Sequence, residues 1–365
     1  MGFNLSKKLT PKVVLVLEYE GHTVLDDASA RLLAMIEKYG SILAAAKKVG
    51  IPYSRAWETI ARIERILGIR IVEAKRGGKR GGGTKLTNEG VKLLRTYVDF
   101  FEKLTRVRFD IKEADFRIKL PDLVYMGSHD PAVEYLVGLL RDSGITEVEV
   151  LWVGSGCGLA ALSLGEADVA GIHLYDPGTK TYNIPYIRKY WLTNYAVIVK
   201  GYKRELGIIH RLGNNVSLRD VISGLLNGYL RYINRNRGSG TRVFADNFIL
   251  EQAAKLGMEV NSENLRSRIK GYNEEAVTHE EVASAIARGK ADVGFTIRSV
   301  ADGYGLNFIP VTWEYFDFVI PLERLRKKGI KVFIKELKSD KFKSYIRKLP
   351  GYKIHSELGN IVEIH

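Results

Sequence analysis

The sequence predicts an α/β protein that carries a smaller α+β domain at its N-terminus. Between Asp26 and Leu67, apolar residues recur every three or four positions, as in amphipathic helices, and a glycine-rich cationic segment follows. From Phe116 onward, short apolar runs alternate with helical patterns, and loops of glycine and serine separate them. Because strands that alternate with helices form parallel sheets, the longer second part of the chain sets the fold class.

The composition is that of a folded protein with more than one domain. A chain of 365 residues is too long for one ordinary core and suggests two or three domains. No run approaches ~18 apolar residues, and the start, MGFNLSKKLTPKVV, lacks the apolar stretch of a signal peptide. We therefore expect a cytoplasmic protein with no membrane partner. The one cysteine, Cys157, has no partner for an internal disulfide, which agrees with a reducing compartment.

The charge distribution indicates a polyanionic partner. The formal net charge is +14, and nine of these charges fall within residues 1–110. A second basic cluster runs from Arg324 to Lys348. Basic patches of this kind attract nucleic acid, so we expect the N-terminal part to bind double-stranded DNA.

The first 86 residues are predicted to form a winged helix-turn-helix. Two short helices joined by a turn that contains glycine make the helix-turn-helix unit, and a hairpin with a flexible basic tip makes the wing. Glycines allow the backbone to approach phosphates, and the cations neutralise them. A solvated loop is the alternative for this tip. The predicted elements are a hairpin over 12–25, helices over 26–40, 41–50 and 53–67, and a wing around Lys75, Arg76, Lys79 and Arg80.

The N-terminal motifs resemble those of a known regulator family. The segments YGSILAAAKKVGIPYSRAWETIARI and KRGGKRGGGTKLTNEG are similar to the DNA-binding domain of ModE, the molybdate-responsive repressor family, and are related to the winged domain of LysR-type regulators. The resemblance covers about residues 11–105. It implies that the exposed start of the third helix faces the major groove of DNA and that the wing contacts phosphates. The implied DNA-binding residues are Tyr53, Ser54, Arg55, Glu58, Arg62, Arg76, Lys79 and Arg80.

Residues 87–115 are predicted to form a linker and dimerisation helix. Val91, Leu94, Val98, Phe101 and Thr105 recur at spacings of three and four, which gives a seam narrow enough to pair with an identical helix. Packing onto the helix's own winged domain is the alternative. A regulator that reads a palindromic operator needs two copies, so we favour a homodimer.

Residues 116–322 are predicted to form a two-lobed domain. The segment AALSLGEADVAG, from Ala160 to Gly171, is similar to SAIARGKADVGF, from Ser284 to Phe295. Each copy reads as a helix that ends at glycine and is followed by a buried strand, which suggests one copy in each lobe. Residues 323–365 are expected to form a basic C-terminal extension.

Four loops of the second domain have the composition of anion-binding sites. Each leads from a predicted strand into a helix, where unpaired backbone N–H groups and the helix dipole favour negative charge. Hydroxyls and guanidinium groups add further donors. An ordinary helix cap is the alternative for any single loop. The candidate ligand-binding residues are Ser128, His129, Ser155, Gly156, Arg237, Gly238, Ser239, Gly240, Thr241, Arg242 and Thr278.

The second domain resembles the periplasmic-binding-protein (PBP) fold, type II, as LysR-type effector domains use it. The segment RGSGTR, from Arg237 to Arg242, is similar to the S-G-T loop of tungstate-binding transport proteins, whereas their Thr-rich first loop is replaced here by GSHDP. This resemblance implies a small anionic effector, with molybdate or tungstate as the first candidates, and no covalent cofactor.

The sequence gives little support for catalysis. It contains no HExxH, CxxC, GxSxG or P-loop lysine motif, and Cys157 has no histidine at a motif spacing. His129 and His173 are isolated, so we expect no metal site. A transcriptional regulator is therefore the main hypothesis. The alternatives are an architectural DNA-binding protein, a protein of molybdenum or tungsten cofactor metabolism with a DNA-binding module, and a LysR-like regulator that senses an organic anion.

Overall fold

The computed structural model describes residues 14–75, 83–106, 108–109, 121–213 and 215–364. The chain divides into two compact units. The first contains Met1–Lys119 and Leu164–Glu166, and the second contains Leu120–Ser163 and Ala167–His365. Each unit is described by itself.

The first unit has the predicted helix-turn-helix order. A hairpin precedes three helices, a second hairpin follows them, and a longer helix comes last. The elements are β1 Leu17–Tyr19, β2 His22–Leu25, α1 Asp27–Tyr39, α2 Ile42–Val49, α3 Tyr53–Leu67, β3 Val72–Lys75, β4 Gly83–Leu86 and α4 Asn88–Thr105.

Local sequence explains where these helices begin and end. Asp26 caps α1 in a capping box with Ser29, and Ser41 caps α2 by accepting a hydrogen bond from the Ala44 N–H group. Both helices end at a glycine in the left-handed conformation, Gly40 and Gly50, where a side chain would be strained. These capping residues and glycines therefore determine where α1 and α2 end and where the turns after them begin.

The second unit is an α/β domain, as the strand and helix pattern predicts. Its first elements are β5 Leu123–Gly127, α5 Pro131–Asp142, β6 Val148–Trp152, α6 Gly154–Ser163, β7 Ala170–Ile172, β8 Tyr175–Asp176, β9 Thr181–Tyr182, α7 Ile184–Lys189 and β10 Ala196–His210. The remaining elements are α8 Leu218–Leu226, β11 Tyr232–Arg235, α9 Gly240–Lys255, α10 Leu265–Arg268, β12 Glu275–Ala276, α11 His279–Ala287, β13 Val293–Ile297, α12 Arg298–Gly303, β14 Asn307–Pro321, α13 Lys328–Leu337, α14 Asp340–Lys348, β15 Tyr352–Ile354 and β16 Ile361–Glu363.

Two long antiparallel strands, β10 and β14, run through both lobes of this unit. At one end of the pair, Asp317–Val319 of β14 pair with β7, and β5 and β6 form a parallel pair beside that lobe. At the other end, Leu206–His210 of β10 pair with β13, which pairs in parallel with β11. The main sheet has the order β12-β11-β13-β10-β14-β7, with β15 and β16 also on β10.

The internal repeat of the sequence corresponds to a repeat in structure. Gly165 and Gly289 both adopt the left-handed conformation after a helix, with φ of 71° and 70°. Asp168 then accepts a hydrogen bond from the backbone N–H of Val124, and Asp292 accepts one from that of Arg231, at 2.8 and 2.7 Å. Each aspartate therefore ties its strand to the neighbouring strand of its own lobe.

The segment 323–365 belongs to the second unit. Helices α13 and α14 pack against α5, and β15 and β16 pair with β10. The side chains of Ile330, Phe333 and Phe342 are buried in the core of this unit. The segment expected as an extension is therefore part of the domain core.

Candidate functional site

The four loops expected to bind an anion lie at helix N-termini in the second unit. Ser128 follows β5, and Ser155 lies in the first turn of α6. Ser239 is the N-cap residue of α9, and Thr278 is that of α11. The sequence pattern of strand, glycine-serine loop and helix therefore placed these loops correctly on the elements.

Three of these loops meet around His173, which follows β7. The Ser128 and Ser155 hydroxyl oxygens lie 2.8 Å apart, and the His173 N–H donates to Ser155 Oγ at 3.2 Å. A Cβ atom on Gly240 would lie 2.5 Å from the His173 carbonyl oxygen, so this close approach requires glycine. The loops after β5, β6 and β11 therefore form one cluster across the two lobes.

In the second lobe, two carboxylate oxygens, Asp246 Oδ1 and Glu280 Oε2, are buried without a hydrogen-bond partner among the described residues. Four buried groups of that lobe that can donate a hydrogen bond also have no partner there. They are Ser239 Oγ, Thr241 Oγ1, Arg235 Nη1 and His279 Nε2. Ser239, Thr241 and His279 are at most 2% exposed, and Arg235 is 6% exposed. A buried polar group without a partner costs about 1–3 kcal/mol, so four together mark a place where a ligand would supply the missing acceptors.

Arg235 is a buried cation without a carboxylate partner in the described part of the chain. Its guanidinium donates to two backbone carbonyls, from Nε to Ala276 at 3.3 Å and from Nη2 to Val277 at 2.7 Å. Burial, together with the nearby Arg204 guanidinium, lowers the pKa of Arg235 to about 10. The group is still charged at neutral pH, and an anion would stabilise it.

His279 is the first residue of α11 and lies beside this cation. Burial, and then the positive charges of Arg235 and Arg204, hold its pKa well below 6.5, so the ring is neutral at pH 7. Its Nδ1 lies 3.0 Å from Thr296 Oγ1. If the Thr296 hydroxyl donates to Nδ1, the proton is on Nε2, and Nε2 is then a donor for an anion.

A buried ionic network supports the cluster from the long strands. The Arg204 guanidinium of β10 binds Asp130 and Glu314 and is fully buried. His173 Nδ1 lies 2.9 Å from Glu314 Oε2. Burial alone would raise the pKa of Glu314, but Arg204 and His173 lower it to about 2. Glu314 is therefore ionised at neutral pH, and it shares the Arg204 guanidinium with Asp130. The negative charge of Glu314 also acts on the nearby Arg235.

Both buried carboxylates are fully occupied by donors. Asp130 accepts from the Ala132 N–H group and from the hydroxyls of Tyr202 and Tyr352, in addition to Arg204. Glu314 accepts from Arg204 and pairs with His173. A third carboxylate, Glu280, lies 3.5 Å from His129 Nδ1. Glu280 Oε2 is buried and accepts no hydrogen bond from the described residues, so it remains available as an acceptor.

The remaining candidate ligand residues have other contacts. Arg237 is 69% exposed, and Arg242 donates to Glu275 and to the Arg235 carbonyl. Thr278 accepts from the Glu281 N–H group as a helix cap. His129 pairs with Glu134 and with Glu280. Gly156 and Gly238 lie beside the cluster, because a Cβ atom on Gly156 would be 3.6 Å from the Gly238 carbonyl oxygen.

Sequence reasoning did not identify Arg235 or His279. Arg235 ends a buried strand two residues before the RGSGTR segment, and His279 directly follows Thr278. Both lie next to loops that the sequence predicts to bind an anion. The available signal was a cation at the carboxyl end of a strand and a histidine at a helix start.

The first unit presents part of the expected DNA-binding surface on α3. Arg55 and Glu58 are exposed. Tyr53 differs from the expectation, because it is 3% exposed and packs in the core. Arg62 donates to the Thr23 carbonyl of β2. The side chain of Ser54 and residues Arg76, Lys79 and Arg80 of the expected wing lie outside the described residues.

These features define a helix-turn-helix unit joined in one chain to a two-lobed binding fold. Residues 138–338 match the PBP superfamily domain, which is more than half of the chain. The chain belongs to the PBP superfamily. Residues 28–91 match the lysR family of bacterial regulatory helix-turn-helix proteins. The predicted fold class and the predicted combination of domains are therefore confirmed.

Several characterised and uncharacterised proteins are similar to parts of this chain. The uncharacterised protein YvgK of Bacillus subtilis is 29% identical over 200 residues, which are 55% of this chain and 61% of YvgK. The DNA-binding transcriptional dual regulator ModE of Escherichia coli is 32% identical over 113 residues, 31% of this chain and 43% of ModE. The molybdenum-pterin-binding protein MopB of Rhodobacter capsulatus is 46% identical over 66 residues, 18% of this chain and 24% of MopB.

The chain thus spans less than two thirds of the length of each of these relatives. Among solved structures, a tungstate ABC transporter from Geobacter sulfurreducens is 13% identical, with 62% of this chain and 97% of that chain covered and a TM-score of 0.43.

Two features are absent from the described residues. None of the helices there has the length and apolar character needed to cross a bilayer. No group of three or more histidine, cysteine, aspartate and glutamate side chains in that part of the chain is arranged to hold a metal ion.

Proposed function

We propose that this protein is a transcriptional regulator that binds DNA through its helix-turn-helix unit and senses a small oxyanion in its two-lobed domain. The observation that carries the sensing half is the buried Arg235, which lies near the unpartnered His279 Nε2 and is followed in the next loop and helix by the unpartnered hydroxyls of Ser239 and Thr241. An oxyanion has acceptor oxygens on every side and supplies the partners that these four atoms lack.

Molybdate and tungstate are the first candidates, because they agree with the resemblance of the N-terminal segments to molybdate-responsive repressors and with the name of MopB. Each is a doubly charged oxyanion whose oxygens accept hydrogen bonds from N–H and O–H donors. Glu280 Oε2, which is buried without a hydrogen-bond partner among the described residues, could accept a proton from a protonated anion such as hydrogen phosphate, so this anion belongs among the ligands to be tested.

Calorimetry and thermal unfolding of the full chain test the sensing half. We expect molybdate or tungstate to bind and to raise Tm, with phosphate and sulfate as the comparison anions. A ligand at about 100 times its Kd stabilises the folded state by about 2.7 kcal/mol. Arg235→Gln should abolish the response, because it removes the buried charge that the anion neutralises.

Arg237→Gln is the matched control, since Arg237 lies two residues further along and is 69% exposed. This variant should keep most of the response. An equal loss in both variants would mean that the anion binds through general surface charge. An unchanged Tm with every oxyanion would contradict the sensing proposal.

Footprinting tests the regulatory half. Operator fragments selected from a random library by the full chain should be protected, and the protection should change when the oxyanion identified above is added. An oxyanion that binds without any change in DNA affinity would remove the link between sensing and regulation.

A further inference from the structure

The net charge of the chain lies in two separate segments. Residues 1–110 carry 21 lysines and arginines against 12 acidic residues, and residues 323–365 carry 12 against 5. The residues between them carry 23 against 25 and are close to neutral. The helix-turn-helix unit accounts for the first excess of cations, but the sensing site does not use the second.

Helix α13 presents this second excess on one face. Lys328, Lys331, Lys335 and Lys338 recur at spacings of three and four, and all four are exposed. The opposite face of the helix holds Ile330, Phe333 and Leu337, which are at most 1% exposed. The buried side fixes the rotation of the helix, so the lysines form a permanent row on the surface.

This row has no acidic partner among the described residues. In the same segment, Arg324 and Lys327 form ion pairs with Asp168. Glu336, the acidic residue within α13, is buried and accepts from the Ser143 hydroxyl at 2.9 Å. Like charges three and four residues apart destabilise a helix, and ordinary solvated surfaces mix both signs. The row therefore differs from an ordinary solvated face.

The cationic surface continues onto α14, which packs against α13. Lys341 and Lys348 line a surface cavity of about 410 Å³ together with Ser344 and one acidic residue, Asp340. The cavity wall includes Tyr135 and Tyr345, whose rings stack at 4.0 Å with an angle of 8° between them. Lysines and a serine hydroxyl around a cavity offer donors of the kind that phosphate groups accept.

We propose that the surface formed by Lys328, Lys331, Lys335, Lys338, Lys341 and Lys348 binds the sugar–phosphate backbone of duplex DNA. This inference rests on one part of the proposed function, namely that the protein binds DNA. The apolar residues of α13 are buried in the core and leave no hydrophobic face for a bilayer, so the surface fits a polyelectrolyte better than a membrane. Contacts of this kind carry no sequence information.

The salt dependence of DNA binding by the full chain tests the proposal. The test variant is Lys331→Ala, Lys335→Ala and Lys338→Ala, because alanine keeps the helix and removes three charges. The control is Lys255→Ala, Lys270→Ala and Lys290→Ala, which removes three exposed lysines elsewhere in the same unit. With duplex DNA of random sequence, the logarithm of the binding constant decreases as the logarithm of the salt concentration increases. The magnitude of this negative slope should be smaller by about 2–3 in the test variant alone.

Each outcome decides the proposal. An equal fall in both variants would show that diffuse charge is responsible, and a wild-type slope in the α13 variant would show that DNA does not touch the helix. Either result overturns the inference. Binding of the α13 variant to phosphatidylserine vesicles is measured as well, and a loss of vesicle binding with unchanged DNA binding would also overturn it. If wild-type DNA binding ignores every oxyanion but still depends on α13, the regulatory proposal fails and this inference stands.

Discussion

At the residue scale, the candidate site contains buried polar groups that have hydrogen-bond or ionic partners and others that have none. Arg204, Asp130 and Glu314 form a closed network in which each charge has partners. Arg235 and His279 lie beside it with one unpartnered nitrogen each. Ser239 and Thr241 were predictable, because glycine and hydroxyl residues before a helix have a local signature. Arg235 and His279 were not, because the burial that gives them their role depends on contacts distant in the sequence.

The neutral state of His279 predicts a pH dependence of the unliganded protein. The pKa of His279 is well below 6.5 in the folded state, and in the unfolded chain it returns to about 6.5. Below that pH the unfolded chain binds a proton that the folded chain does not, so the free energy of unfolding falls as the pH falls below about 6.5. His173, whose pKa is lowered mainly by burial, acts in the same direction.

Urea unfolding between pH 7.5 and 5 measures this effect. His279→Gln should flatten the dependence, because glutamine does not titrate. A bound oxyanion should also reduce it, since negative charge favours the protonated ring. A variant with the wild-type pH profile would show that His279 is not the group that titrates.

At the element scale, the N-terminal half of α3 is expected to read DNA bases. Arg55 is exposed in its first turn, and Arg65 is exposed in its last. Because recognition helices place their N-terminal residues in the major groove, Arg55→Ala should cost about 1–3 kcal/mol on the selected operator and relax preference at one base pair. Arg65→Ala is the matched control and should have a small effect. If Arg55→Ala weakens binding equally on random DNA, Arg55 contacts phosphate instead.

The long helix α4 presents a different apolar face from the one that its sequence suggested. Leu94 is 5% exposed and Phe101 stacks on Tyr97, so part of the predicted seam packs within its own unit. Phe100 and Leu104, one turn apart, are 48% and 67% exposed. Periodicity alone identified an apolar helix but did not distinguish which of two adjacent faces the rest of the unit would cover.

A homodimer through α4 remains a prediction, now assigned to Phe100 and Leu104. Phe100→Glu with Leu104→Glu should shift the protein from dimer to monomer in sedimentation experiments, because like charges would face each other in an apolar contact. Lys92→Glu with Arg95→Glu alters exposed positions of the same helix away from the Phe100–Leu104 face and should leave the dimer intact. An unaltered dimer in the first variant would assign self-association to another surface.

At the scale of the whole molecule, the order of elements was predictable and their long-range pairing was not. Helix caps, glycines and the alternation of strands with helices are local, so they gave the helix-turn-helix unit and the α/β domain. The pairing of β15 and β16 with β10 joins residues about 150 positions apart, between Val199 and Ile361 for example. No local sequence pattern predicts a strand pairing over that distance. The many basic residues of segment 323–365 favoured the interpretation as a solvated extension instead.

The position of β10 in the sheet also has a consequence for synthesis on the ribosome. All four of its strand partners, β13 to β16, follow it in the chain. At about 5–20 residues per second, β10 is made roughly 10–30 s before β16. Until β13 and β14 have been made, the apolar edges of β10 have no partner and are open to chaperones or to other nascent chains, and the pairing with β15 and β16 comes later still. The first unit needs no later strand for its hairpins, so translation speed between β10 and β16 should affect the yield of the second unit far more than that of the first.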